Sequence, residues 1–403
     1  MRIVFVVENY YPGDAGVPVV TRYLSEGLIT LYNYEVFAVT KLNNNSSYEN
    51  HNGIKIYRFD VSYSKGFSIV GDAIGFCSKV IELDPDVLIL ECAQCVTTDI
   101  MLPHLHELKC KKILHSHDFS GLWIPFFKIY PSIKSTIASP KNHLVWKKYY
   151  RTFFKKYVND FDLLLYLTDL GKDKEYFDKY SKVRYEILNN AADEMFFEQN
   201  QFNSKTKESL SESFNVIKKY CDIKSERYII CLSNYGKIKN QKTVLKEYYK
   251  ASCPDTAMIF VGSTENNYYH SLKEMVKKLE KRYGKREAHF LTKVDRNDIP
   301  SILSHAEISV SASTWEAYSI ALIEAMAVGT PFISTDVGNA RLLPGGVTIK
   351  KSSDMHRVIN ELLNNREWMN KLSNKGRQYA YDNCRKDNSI EKLNRLICDL
   401  LAR

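Results

Sequence analysis

The sequence predicts an α/β protein of two doubly wound domains, and three observations carry that expectation. Short apolar runs alternate with longer amphipathic stretches along most of the chain, the pattern of parallel strands buried between helices. A polar, serine-rich segment, EQNQFNSKTKESLSES (198–213), interrupts the alternation near the middle. The length, 403 residues, exceeds what one core ordinarily fills.

In order, RIVFVV (2–7), YEVFAVT (34–40), IKIYRF (54–59), DVLILE (86–91), KKILHSH (111–117) and FDLLLYLT (161–168) read as buried strands. They are rich in β-branched and aromatic residues and too short for helices. VPVVTRYLSEGLITLY (17–32) lies between the first two with helical spacing. Beyond the polar segment, RYIICLS (227–233), AMIFVG (257–262), EAHFLT (287–292), EISVSAS (307–313) and TPFISTD (330–336) repeat the pattern. The expected division is 1–190, 191–385, and a terminal helix at 386–403 able to pack back on the first domain. Such sheets bind ligands at the carboxyl ends of their strands.

Several function classes fall away. No Gly-x-Gly-x-x-Gly follows the first strand and no Walker loop occurs, so dehydrogenases and P-loop NTPases lack their phosphate cradle. No run reaches the roughly 18 apolar residues of a membrane span. The opening MRIVFVVENYYPG reads as a strand, not a secretory leader. Nine scattered cysteines fit reduced thiols in the cytoplasm. Cys92 and Cys95 have no second pair at zinc spacing. A net charge of +9 invites anionic partners. Without a zinc-finger or aromatic RNA-binding signature, nucleic acid is not expected.

Chemistry collects in WEAYSIALIEAMAVGTPFIS (315–334). Glu324 is the single polar residue between Ile320 and Val328. With Ser319 as helix cap, Glu324 falls in the second turn and Glu316 in the loop before it. A buried carboxylate needs hydrogen-bond donors, and sugar hydroxyls would serve. The alternative places Glu324 on the solvent face of the helix.

EAYSIALIEAMAVGTPFISTDVGNARLL resembles the Glu-x7-Glu segment of retaining GT-B glycosyltransferases, specifically glycosyltransferase family 4 (glycosyl transferases group 1). Four stretches in the same order support the resemblance. ENYYPGDAGVPVVTRYLSEGL is similar to the family's glycine loop, and LHSHD to its His motif. ILNNAADEMFF is similar to its interdomain turn, and LSNYGKIKNQKTVLKEYYKA to its Lys-bearing phosphate loop. The resemblance implies a GT-B fold, two Rossmann-like domains facing across a cleft. It also implies a nucleotide-sugar donor and no metal or other cofactor.

Carried over by position, Glu324 would bind the donor ribose and Glu316 would face the transferred sugar. The backbone at Tyr318 and Ser319 would approach sugar and diphosphate. Lys239 would neutralise the leaving diphosphate, and Gly16 would approach it from the other domain. His117 would lie beside the sugar, and Asn190 in the interdomain turn. The chain departs from the pattern at Ala15-Gly16, at Glu316-Ala317-Tyr318-Ser319, and at Asn234, where an Arg is common. Lys237 could replace that charge, though not as a planar fork. On residues alone, His117 could be structural, Asn190 a turn residue, and Lys237 and Lys239 solvated loop charges.

KNHLVWKKYYRTFFKKYV (141–158) interleaves Trp146, Tyr150, Phe153 and Tyr157 with lysines and Arg151. It reads either as a basic amphipathic helix on an anionic membrane or as a helix packing its aromatics inward. The expectation is therefore a cytoplasmic retaining glycosyltransferase, peripheral on the inner membrane face. It would use a UDP-sugar and a lipid-linked glycan acceptor in surface-polysaccharide assembly. The rival classes are a non-hydrolysing nucleotide-sugar epimerase and a non-catalytic glycan-binding or scaffold subunit.

Overall fold

Every strand expected from an apolar run forms, and the runs assemble into two parallel sheets. The computed structural model describes residues 1–12, 16–43, 46–64, 68–123, 133–198 and 214–403, the side chains of 133–139 excepted. Ala15 and residues 199–213 of the polar segment lie outside the described residues. The chain divides into two compact units, Met1–Asn190 with Lys386–Arg403, and Ala191–Arg385.

In the first unit the strands are β1 (Arg2–Val7), β2 (Glu35–Lys41), β3 (Tyr48–His51), β4 (Ile54–Phe59), β5 (Val61–Tyr63) and β6 (Ile69–Gly71). They continue with β7 (Val87–Glu91), β8 (Lys111–His115), β9 (Leu163–Tyr166) and β10 (Tyr185–Ile187). Eight of them form a sheet in the order β10-β9-β8-β7-β1-β2-β4-β3, with β5 and β6 a separate hairpin. Ile3 stands between Val36 of β2 and Val87 of β7 in parallel register. β1 and β7 are apolar on both faces, as strands covered by helices on both sides must be. The strand order reverses between β1 and β7, the switch point at which such sheets open a crevice.

The second unit repeats the plan with β11 (Arg227–Leu232), β12 (Thr256–Val261), β13 (Ala288–Leu291), β14 (Ile308–Ser311), β15 (Phe332–Thr335) and β16 (Gly346–Ile349). Their order, β13-β12-β11-β14-β15-β16, reverses between β11 and β14. The loops after those two strands therefore flank this unit's switch point.

Helix Lys386–Leu401 packs on helix Val17–Tyr32 of the first unit through Ile390, Leu393, Leu396, Ile397 and Leu400. Gly27 permits the close approach, since a side chain there would run into Ile390. The Tyr34 hydroxyl donates to Asn394 Oδ1 at 2.7 Å.

The basic aromatic stretch is not one amphipathic helix. An α-helix, Ile133–Lys148, gives way to a π turn at Tyr149–Phe153 and a 3₁₀ turn at Phe154–Lys156. Tyr150 and Phe154 are buried, and Trp146, Phe153 and Tyr157 pack against the same core. Of the two readings of this stretch, the aromatics follow the one in which they pack inward. Among the described residues, no helix is long and apolar enough to cross a membrane.

Candidate active site

In the second unit, the loop from β11 to helix Gln241–Lys250 is built around one buried amide. Gln241 Nε2 donates to Ser233 Oγ at 2.9 Å and to the Asn234 carbonyl at 3.0 Å. Thr314, in the loop after β14, donates its N–H to the Ile238 carbonyl at 2.8 Å. The two loops at the switch point are thus tied together. Across them, Lys239 Nζ meets Glu316 Oε1 at 2.6 Å. Asn234 is exposed, with its Oδ1 accepting from the Ser263 N–H at 3.2 Å. Lys237 is exposed, and no ion pair to it occurs among the described residues.

Ser319 stands at the N-cap position of helix Ile320–Ala327, but its side chain makes no cap bond. Its backbone N–H donates instead to Asn339 Oδ1 at 2.7 Å. Gly338 adopts φ +55°, with the space for a Cβ bounded by the Glu316 and Ala317 carbonyls at 3.0 and 3.1 Å. Glycine relieves both constraints, so the Glu316 loop can lie directly on this turn. Tyr318 packs at the edge of the core. The uncapped first turn leaves N–H groups of the kind that hold phosphates.

Glu324 is 3% exposed, which overturns the solvent-face alternative. Its donor is a residue the sequence reading missed: Arg296, in the turn after β13, whose two terminal nitrogens reach both carboxylate oxygens. Arg296 also lies over the Phe196 ring at 4.8 Å. Burial raises the Glu324 carboxyl above its ordinary range, Arg296 opposes that shift, and Asp193 adds to it. Nothing in the spacing marks Arg296; the clue was only that a buried carboxylate requires a donor.

In the first unit, Gly16 follows β1 and caps helix Val17–Tyr32 with φ 67° and ψ −137°. Nothing lies within 4 Å of the position a Cβ would take. After β8, His117 Nε2 lies 2.6 Å from Glu91 Oε2, at the end of β7. His115 Nδ1 is 3.0 Å from the same oxygen but lacks hydrogen-bond geometry, and neither ring nitrogen has a partner. Burial would raise the Glu91 carboxyl, yet His115 and His117 outweigh it and bring it to about 2. Burial, with His115 beside it, lowers His117 to about 4 against the pull of Glu91. At neutral pH a carboxylate therefore accepts from a neutral imidazole, fixing the proton on Nε2.

The three groups could converge on a cation. The 2.6 Å contact is nonetheless hydrogen-bond spacing, shorter than the roughly 3.3 Å between ligand atoms of a tetrahedral zinc site. Glu91 was legible in DVLILE as the one charge inside an apolar strand after its opening Asp86, and it went unread. Cys92, Gln94, His117 and Asp118 all have positive φ, 53° to 68°. Such strain in non-glycine residues clusters at working sites. Cys95 is pushed up to about 11 by burial, so it is held as a thiol. Asn190 is 6% exposed with its Oδ1 unpartnered.

Both units are doubly wound parallel domains with polar residues gathered at their switch points, and over the whole chain they share the GT-B fold of known structures. Sucrose-phosphate synthase from Thermosynechococcus elongatus superposes with a TM-score of 0.75 at 14% identity, covering 100% of this chain and 99% of that one. Anabaena HepE, solved in complex with UDP, superposes at 0.70 with 14% identity over 99% and 100%. Residues 215–379 match the family described as Glycosyl transferases group 1. N-acetyl-alpha-D-glucosaminyl L-malate synthase of Bacillus anthracis is 25% identical over 191 residues, 46% of this chain. The match spans about half, 48%, of that relative.

Proposed function

We propose that the protein is a retaining glycosyltransferase moving a sugar from a UDP-sugar to a lipid-linked glycan in surface-polysaccharide assembly. The carrying observation is the Lys239–Glu316 pair at the switch point of the family-matched segment. HepE, of the same fold, binds UDP, which supports a nucleotide donor. Work at the cytoplasmic face of a membrane follows from the lipid-linked acceptor.

In this reading the diphosphate enters between Lys239 and the uncapped first turn of helix Ile320–Ala327. As the anomeric C–O bond breaks, the electron pair goes to the diphosphate oxygen. Fixed cations and N–H groups aimed at that charge lower the barrier. Lys239 is the cation assigned to it, with Lys237 in reserve. Glu316, released from Lys239, faces the sugar and Glu324 the ribose. The acceptor hydroxyl attacks the face the leaving group vacates and passes its proton to the departing phosphate. His117, neutral and held by Glu91, offers a polar contact to the sugar without competing for the phosphate. Gly16 and Asn190 are proposed as donor-binding residues.

The test is nucleotide release from candidate UDP-sugars with and without acceptor. Acceptor-dependent UDP release is expected. Isomerisation of the sugar without release would establish an epimerase instead. A thermal-shift series with UDP, GDP and ADP should pick out UDP by about 2.7 kcal/mol at 100 times its dissociation constant. No response to any nucleotide would leave a non-catalytic subunit.

A further inference from the structure

The first unit contains a cavity of about 270 Å³ whose walls come from the helix through Lys148, the π turn, and helix Lys172–Tyr180. None of the residues assigned to the donor lines it. Four cations do: Lys147, Arg151, Lys172 and Lys179. Lys172 is paired with Glu175 at 2.6 and 2.7 Å. Lys147, Arg151 and Lys179 have no carboxylate within ion-pair distance among the described residues. Against the single carboxylate of Glu175, four cations leave an excess of three charges among the residues that line the cavity.

A second observation points inward. Tyr150 lines the same cavity, is 1% exposed, and its hydroxyl has no hydrogen-bond partner. The carboxylates beside it, half-buried Asp118 and buried Asp173, are already occupied. Asp118 accepts from the Trp123 indole at 2.6 Å and from the Lys172 N–H at 2.7 Å, and Asp173 from Ser116. They do not neutralise the cavity by pairing with its lysine ammoniums.

We infer that this cavity seats a phosphate or diphosphate group carried by the acceptor. The charge excess matches a diphosphate, and Arg151 offers a fork for its oxygens. The volume falls just below the usual range for whole small-molecule ligands, so the cavity takes a charged head and leaves the remainder outside. Tyr176 and Tyr180 also line the cavity, and the Lys179 ammonium lies over the Tyr180 ring at 5.3 Å. The π turn explains the placement. It keeps Tyr150 and Phe154 in the core while Arg151 remains exposed at the cavity. The acceptor part of the inference rests on the glycosyltransferase reading; the anion site does not.

The test is calorimetric titration of inorganic pyrophosphate into protein first saturated with UDP, so that the donor site is closed to it. The comparison is wild type against the double variant Lys147→Gln, Arg151→Gln and the single variant Lys179→Gln. All three side chains are at least partly exposed, and an unchanged first-unit transition in scanning calorimetry verifies the fold. The double variant should bind pyrophosphate at least about tenfold more weakly, and salt should narrow the difference. Equal affinity in wild type and variants overturns the site. L-malate binding with no pyrophosphate binding overturns the phosphate assignment. Flotation with phosphatidylglycerol vesicles separates the sources. If the double variant loses vesicle binding but keeps pyrophosphate affinity, the cations serve a membrane surface and the cavity proposal fails. If UDP does not bind at all, the glycosyltransferase reading fails, while the pyrophosphate difference measured without UDP still decides the site.

Discussion

Lys239 and Glu316 hold each other at 2.6 Å, so in the proposed reaction the diphosphate has to draw the lysine away from a carboxylate. That exchange keeps the lysine extended towards the loop before ligand arrives. Lys239→Ala should lower turnover by about 10²-fold or more, with a smaller loss in UDP affinity, because charge grows on the diphosphate in the transition state. Near-normal turnover with Lys237 intact would move the role to Lys237. At Glu324 the expectation concerns pH. Its carboxyl is raised above 4.5, so the folded protein keeps a proton that the unfolded chain has released. Stability therefore falls as pH rises through that window. Arg296→Ala removes the opposing charge and widens the window. The variant should be less stable at neutral pH and recover as pH falls towards the usual carboxylate range, as followed by urea melts; a pH-independent deficit would refute the pairing. His117 works in the other sense. Its folded value near 4 lies below 6.5, so its contribution is full above 6.5 and lost as pH falls through 4. His117→Gln should therefore gain on wild type across that interval. Asp99 and Asp173, raised to about 6 by burial, favour the fold as pH falls, so the wild-type acid response is shallower than His117 alone implies.

At the scale of elements, the loop Ser233–Asn240 owes its shape to Gln241. The side chain is fully buried and bonded to Ser233 and Asn234. Gln241→Ala should cost about 1–3 kcal/mol and weaken UDP binding severalfold, although no role at the ligand is assigned to it. A stable variant with wild-type UDP affinity would show that the loop holds itself. Elements of this kind divide what a sequence discloses from what it conceals. β1, β7 and β12 were plain because central parallel strands are apolar on both faces. β3 was not, because YENH is a polar edge strand held by pairing with β4. β10 and β16 are short edge strands whose apolar content is too slight to register. The loops that carry Lys239 and Glu316 were legible because each lies in a short stretch of distinctive residue types, although 77 positions separate the two. Arg296 was not, since 28 residues separate it from Glu324. The π turn was equally hidden: its extra residue per turn changes which face Arg151 shares, and helical counting cannot show that.

For the whole molecule, two sheets with separate cores predict separable responses. UDP should stabilise the second unit, and damage to helix Lys386–Leu401 should register in the first. Leu393 is 1% exposed, and Leu393→Ala should cost about 2–5 kcal/mol. Scanning calorimetry should then show a lowered first-unit transition while the UDP-sensitive one stays in place; a uniform shift of both would mean the units unfold as one. The position of that helix also has a consequence during synthesis. Its docking site, the face of Val17–Tyr32 around Gly27 and Leu28, leaves the ribosome early. The helix that covers it follows only after all of 191–385 has been translated. At about 5–20 residues per second, this greasy surface waits on the order of ten seconds or longer for its cover. A nascent chain stalled before residue 386 should therefore present a chaperone-binding surface that vanishes once the helix emerges.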